Sequence, residues 1–134
     1  MARIESDPAL VISAEGVVYR DSTRLDLPSL RIAGTSGEGR ARALTAIMLC
    51  GRPQPDWLFD PGDGRDIRLV APGMTAHLGS GDFLAAWQKL TEIVADLDKN
   101  RSAAAEIDVR YHDQGIVVLR TQAADTAGPR SFRN

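Results

Sequence analysis

The most regular pattern of apolar and polar positions runs from residue 83 to residue 97. Apolar side chains recur there at spacings of three and four: Phe83, Leu84, Trp87, Leu90, Ile93, Val94 and Leu97. This spacing predicts an amphipathic helix with one face packed against the core. Asp82 directly precedes the pattern and can act as its N-cap.

A shorter helix is predicted over residues 38–50, where Leu44, Ile47 and Met48 form one apolar face. Gly51 and the two prolines that follow end it. The loop before it, residues 34–39, is rich in glycine. Both helices are therefore bounded by residues that favour turns.

Patterns typical of strands surround these helices. Residues 10–12, 17–20 and 30–33 are short β-type runs, and residues 66–70 and 74–78 form a hairpin in which Gly73 supplies the positive φ of a type II turn. After Asn100 the period changes to two, because Ile107, Val109 and Tyr111 alternate with polar residues. Residues 116–119 are apolar at four successive positions.

These elements predict an α+β fold: a largely antiparallel β-sheet with two amphipathic helices packed on one face. The length of 134 residues is that of one domain. We expect a disordered lead-in at residues 1–8, a single domain at 9–121 and a disordered tail at 122–134, since the tail lacks core-forming residues.

Composition removes several classes of function. Eighteen acidic and sixteen basic side chains give a net charge of −2, which argues against binding nucleic acid by phosphate neutralisation. The single Cys50 excludes a disulfide within the chain and a cysteine-rich zinc site. The longest uncharged apolar stretch, residues 43–50, is much shorter than the about 20 residues that span a bilayer.

Two loops resemble ligand sites at first sight. Residues 34–41 have the glycine spacing of a phosphate-binding loop, but Arg40 and Ala41 stand where that loop needs Lys and Ser or Thr. Asp60, Asp63 and Asp66 suggest a calcium loop, but its third and twelfth positions are glycine and alanine. A solvated loop and a hairpin turn are the preferred interpretations.

Neither histidine stands at a spacing typical of a metal site or catalytic triad. We expect His77 and His112 to face solvent, and Cys50 to act as a small apolar residue at the end of a helix face. A nucleophile pair of Cys50 with a histidine is the alternative. The sequence predicts no enzyme, no cofactor and no metal.

The final apolar run, residues 116–119, has two explanations. It is either a central strand covered on both faces, or an edge strand whose main-chain groups and outer apolar face receive a partner strand. Periodicity alone leaves both open.

Several segments together resemble one bacterial family. They are Leu27-Pro28-x-Leu30, the stretch from Asp66 to Gly79, the helix around Trp-Gln-Lys-Leu at 87–90, and Ile-Asp-Val-Arg-Tyr at 107–111 before a turn and a valine-rich strand. In this order they are similar to the extracytoplasmic β-domain of the cell-division protein family FtsQ/DivIB, over about residues 10–120.

The resemblance implies a non-catalytic divisome scaffold that binds FtsB/FtsL-like division proteins by strand addition. Its partner-binding residues would be Tyr111, Gly115, Ile116, Val117, Val118, Leu119 and Arg120. It implies no cofactor, no nucleic acid, no small-molecule substrate and no direct membrane contact by this chain.

The family's membrane helix and POTRA domain have no counterpart here. The expected location is therefore the extracytoplasmic side of the cytoplasmic membrane if the chain belongs to a longer FtsQ-like protein, and the cytoplasm if it does not. The alternatives are a small nucleotide-binding domain that uses residues 34–40, and a cytoplasmic adaptor of unknown partner.

Overall fold

The computed structural model describes residues 1–63, 65–110 and 116–119. In chain order the elements are β1 (Ala2–Ile4), β2 (Asp7–Ile12), β3 (Val18–Arg20), β4 (Ser29–Leu30), α1 (Gly37–Leu49), β5 (Leu58–Asp60), β6 (Ile67–Ala71), β7 (Met74–Gly79), α2 (Phe83–Lys99), β8 (Ala104–Asp108) and β9 (Ile116–Leu119).

All nine strands of the described chain belong to one sheet, in the order β3-β2-β1-β4-β5-β6-β7-β8-β9. The predicted α+β class is confirmed. The sheet is mixed rather than largely antiparallel, because β1–β4, β4–β5 and β7–β8 pair in parallel. Two of these parallel pairs follow from the helices, since a helix that joins neighbouring strands returns the chain in its original direction.

Both helices lie on the same face of the sheet, as predicted. β4 and β7 point the same way, and the crossovers β4–α1–β5 and β7–α2–β8 advance in the same direction along the strand order. Crossovers between parallel strands are almost always right-handed. Two right-handed crossovers that begin on parallel strands and move in the same direction across the sheet place their helices on the same face. In agreement with this, α1 and α2 contact each other.

The core fills the space between these helices and the sheet. Phe59, Leu30, Ile67, Leu69 and Ile107 are the largest of its completely buried side chains. Along each strand they alternate with residues that point to the opposite face. Trp57 and Trp87 are half-buried at the margin of this core, with their rings edge to face and 5.6 Å between centroids.

Helix α1 buries two of the three residues of its predicted apolar face and exposes the third. Leu44 and Ile47 are buried, but Met48 is 61% exposed. The buried stripe is centred on Ala43, Ala46 and Ile47. The two alanine side chains are small and allow the helix to lie close to the sheet. At 100° per residue, Met48 lies roughly 140° around the helix from Ala43 and faces solvent.

Residues 2–4, 7 and 8 lie in strands of the sheet, so the prediction of a disordered lead-in at residues 1–8 is wrong. Strand β1 pairs with both β2 and β4, and its Ala2 and Ile4 are buried. The run of β1 is only three residues long, too short for its alternation to stand out in the sequence. The predicted tail, residues 122–134, lies outside the described residues.

Helix α2 begins and ends close to where the sequence predicts. The Asp82 side chain accepts a hydrogen bond from the Ala85 N–H at 3.0 Å, and the helix ends at Lys99. Within the residues that the structure describes, neither helix has the length and apolarity needed to cross a lipid bilayer.

The Asp82 cap gives a direct test of this helix. Asp82→Ala leaves the Ala85 N–H without its acceptor, so we expect the free energy of unfolding in urea to fall by about 1 kcal/mol. Asp82→Asn keeps an acceptor oxygen and should lose much less. An equal loss in both variants would contradict the capping role.

Candidate functional site

Strand β9 is one edge of the sheet. Within the described residues it pairs only with β8, in the antiparallel register that sets Ile107 opposite Val117 and Asp108 opposite Ile116. No residue in the described ranges pairs with the other side of its backbone, and a further strand can add there. Of the two explanations that periodicity leaves open, the strand order in the described chain selects the edge.

The side chains of β9 differ between its two faces. Val117 packs against the core on the helix-covered face, and Leu119 is half-buried. Ile116 and Val118 point to the opposite face and are 45% and 46% exposed. As far as the described residues show, the edge thus presents main-chain groups without a partner strand together with two exposed apolar side chains.

The structure brings four of the seven predicted site residues together on this strand: Ile116, Val117, Val118 and Leu119. The other three, Tyr111, Gly115 and Arg120, lie outside the described residues. The predicted contact therefore has a defined position only along β9.

A charged cluster that the sequence analysis missed lies directly behind this edge, on the face that the two helices leave open. His77 of β7 stands at its centre. Its Nδ1 is 2.7 Å from Asp66 Oδ2, and its Nε2 is 2.5 Å from Glu106 Oε1 on β8. The imidazole therefore joins three segments of chain: the loop before β6, strand β7 and strand β8.

The two carboxylates favour the protonated form of this ring. Partial burial by itself lowers the pKa of His77, and the hydrogen bonds to Asp66 and Glu106 outweigh that effect. The pKa of His77 is consequently raised above its ordinary value. Because both ring nitrogens face carboxylates, neither is available as a free base, and the ring acts as a clamp between strands.

Arg110 completes the cluster from the end of β8. Its guanidinium holds Asp108 through Nη2–Oδ2 and Nε–Oδ1 contacts of 2.5 and 2.9 Å, and it lies 3.5 Å from Asp66. These hydrogen bonds lower the pKa of Asp108. Gly79 allows the close approach, since it has a φ of +76° and a Cβ there would lie 3.3 Å from the Arg110 side chain.

A second set of ion pairs continues across the same open face. Asp60, which is 4% exposed, accepts hydrogen bonds from Arg31 and Arg68, both at 2.9 Å. Arg31 also binds Glu5 with two hydrogen bonds of 2.6 and 2.7 Å, and this contact lowers the pKa of Glu5. The interior of the open face is thus held by charge pairs, whereas its β9 margin is apolar.

These contacts correct one expectation about the titratable side chains, that for His77, and agree with the other, that for Cys50. His77 does not face solvent freely, since only 15% of its side chain is exposed. Cys50 belongs to the core on the helix side of the sheet, where burial raises the pKa of its thiol to about 12. Cys50 and His77 therefore lie on opposite faces and form no nucleophile pair. His112 is outside the described residues.

The two loops that resembled ligand sites have local structural roles. Ser36 caps α1 by accepting a hydrogen bond from the Gly39 N–H at 3.1 Å, and Arg40 donates to the Thr35 carbonyl at 3.3 Å. In the aspartate-rich turn, Asp60 and Asp63 accept hydrogen bonds from backbone N–H groups two residues later. No group of three or more His, Cys, Asp or Glu side chains in the described ranges is arranged to hold a metal ion.

Comparison with models of known protein families finds no match, and the curated proteins show no significant similarity to this chain. The resemblance to FtsQ/DivIB therefore depends on the sequence segments themselves.

The His77 clamp predicts how stability depends on pH. The pKa of His77 is higher in the folded state than in the unfolded state, where it is about 6.5. The contribution of His77 to the free energy of unfolding is therefore fully present below about pH 6.5 and is lost as the pH rises through the pKa of the folded state. We expect the free energy of unfolding to decrease from pH 6.5 upward through that value, as measured by urea denaturation.

The Glu106→Gln variant tests whether His77 causes this decrease of the free energy of unfolding with pH. It removes one of the two carboxylates that stabilise the charged ring, so the decrease with pH should become smaller. His77→Gln should abolish the contribution altogether. An unchanged slope in His77→Gln would show that other groups cause it.

Proposed function

We propose that this chain is a non-catalytic protein-interaction domain that binds its partner by strand addition along β9. The observation that supports this most strongly is the place of β9 at the end of the strand order, with β8 as its one neighbour in the described chain. Main-chain groups on an open edge provide affinity for an extended segment, and neighbouring side chains provide specificity.

The apolar side chains favour β9 over the opposite edge as the binding strand. An exposed apolar edge promotes aggregation unless a partner or a charge protects it. At the other end of the sheet, β3 includes Arg20, which lies 3.9 Å from Asp7. Strand β9 contains four apolar residues and no charge.

The cluster around His77 suits such a role. Strand addition to an edge requires that the edge strand itself be held in register. The contact from His77 to Glu106 ties β8 to β7, and the contact from Arg110 to Asp66 ties the residues just after β8 to the loop before β6. Strand β8 in turn pairs with β9. These residues are proposed to support the edge and not to react with a substrate.

The sequence resemblance makes the proposal more specific. If the chain is the β-domain of an FtsQ/DivIB-like protein, its partner is an FtsB/FtsL-like segment, and the complex belongs to the divisome on the extracytoplasmic side of the cytoplasmic membrane. The segment at 107–111 supports this identification, because it leads directly into the hairpin that ends in β9.

The central test measures binding of the extracytoplasmic segment of the cognate FtsB-like protein by isothermal titration calorimetry. In the double variant Ile116→Lys/Val118→Lys, two exposed cross-strand contacts are lost, so we expect binding to weaken about tenfold. Val117 is left unchanged because it packs against the core.

Val18→Lys is the matched control, since Val18 is 48% exposed on the opposite edge strand. It should bind like the unmodified chain. Amide hydrogen exchange at residues 116–119 should also slow in the complex, while exchange at residues 18–20 stays unchanged. Undiminished binding by the folded double variant would contradict addition to β9, and failure of the unmodified chain to bind would contradict the divisome assignment.

A further inference from the structure

A recess lies on the helix-covered side of the sheet, away from β9. It has a volume of about 380 Å³ and runs along α2 beside the β6–β7 hairpin. Its walls are mainly apolar: Trp57, Leu69, Met74, Trp87, Leu90 and Val94. We call it the tryptophan groove, because both tryptophans of the chain line it.

The groove is elongated. Trp87 and Asp98 mark its extent along α2, and eleven residues at 1.5 Å per residue separate them by about 16 Å. Its volume lies in the range of small-molecule sites, which are mostly apolar with a few polar groups that fix orientation. Its shape therefore suits a long ligand more than a compact one.

The charge at the groove has one sign. Asp98 is the one ionisable side chain among the described lining residues, and its carboxylate takes part in no ion pair or side-chain hydrogen bond with another residue of the described chain. It lies on the last turn of α2, where the helix dipole also favours a positive charge. Lys99 is on the same turn but does not line the groove.

We propose that the tryptophan groove binds an elongated organic cation, with an alkyl or arylalkyl body along the tryptophans and an ammonium group at Asp98. The apolar body would be removed from water by Trp57, Trp87 and Val94. The ammonium group would pair with a carboxylate that has no other partner in the described chain. This site is independent of the proposed strand addition, because β9 contributes no residue to it.

The test compares n-octylammonium with octanoate, which have apolar chains of similar length and opposite charge. Both are titrated below their micelle concentrations while tryptophan fluorescence is recorded, a signal that arises only from the groove because the chain has no other tryptophan. We expect the dissociation constant for octylammonium to be about fivefold lower than that for octanoate, in keeping with a partly exposed ion pair.

Three variants assign the preference to this site. Asp98→Asn should make the two probes bind equally, whereas Asp96→Asn, an exposed change on the same helix outside the groove, should preserve the preference. Ala95→Lys places a competing ammonium three residues before Asp98 and should weaken octylammonium binding. Far-UV circular dichroism checks that each variant is folded.

Equal binding of both probes to the unmodified chain would overturn the proposal, because it would show a site that selects only for apolarity. Absence of a fluorescence change with either probe would overturn it as well. A preference that persists in Asp98→Asn would place the cation elsewhere and contradict the assigned geometry.

Discussion

The parallel pairing of β7 with β8 is the contact on which the candidate binding edge depends. It consists of three residue pairs, from Thr75 opposite Glu106 to His77 opposite Asp108, and it joins the last hairpin to the other seven strands. Parallel pairs are slightly less stable per residue than antiparallel ones. Here the crossover helix α2 and the clamp at His77 strengthen the junction on opposite faces of the sheet.

The position of the helices explains the chemistry of both faces. Because the two crossovers have the same hand, both helices cover one face of the sheet and leave the other face open. The covered face therefore buries the apolar side chains of the core, and buried polar groups on the open face must have hydrogen-bond or charge partners. Asp60 shows the consequence most clearly, since it is almost fully buried and two arginines compensate its charge. The exposed apolar residues Ile116 and Val118 depart from this pattern, and they lie at the sheet edge.

The two proposed surfaces are separated by α2 and differ in chemistry. Strand β9 offers main-chain hydrogen-bonding groups and apolar side chains to an extended chain, whereas the tryptophan groove offers apolar walls and one carboxylate to a cation. Neither uses the charged cluster as a reactive centre. In both proposals the cluster and the core provide a rigid support, and binding energy comes from groups that the fold leaves without partners in the described chain.

Elements whose signals are local could be predicted from the amino-acid sequence. The three- and four-residue spacing of α2, its Asp82 cap and the Gly73 turn are set by neighbours in the chain, and the structure agrees with each. The parallel pairs, the buried place of β1 and the edge position of β9 could not be predicted in this way, because strand order depends on residues far apart in sequence. His77 shows the reason: its partners lie 11 and 29 residues away, and no local pattern relates them until the strands are paired.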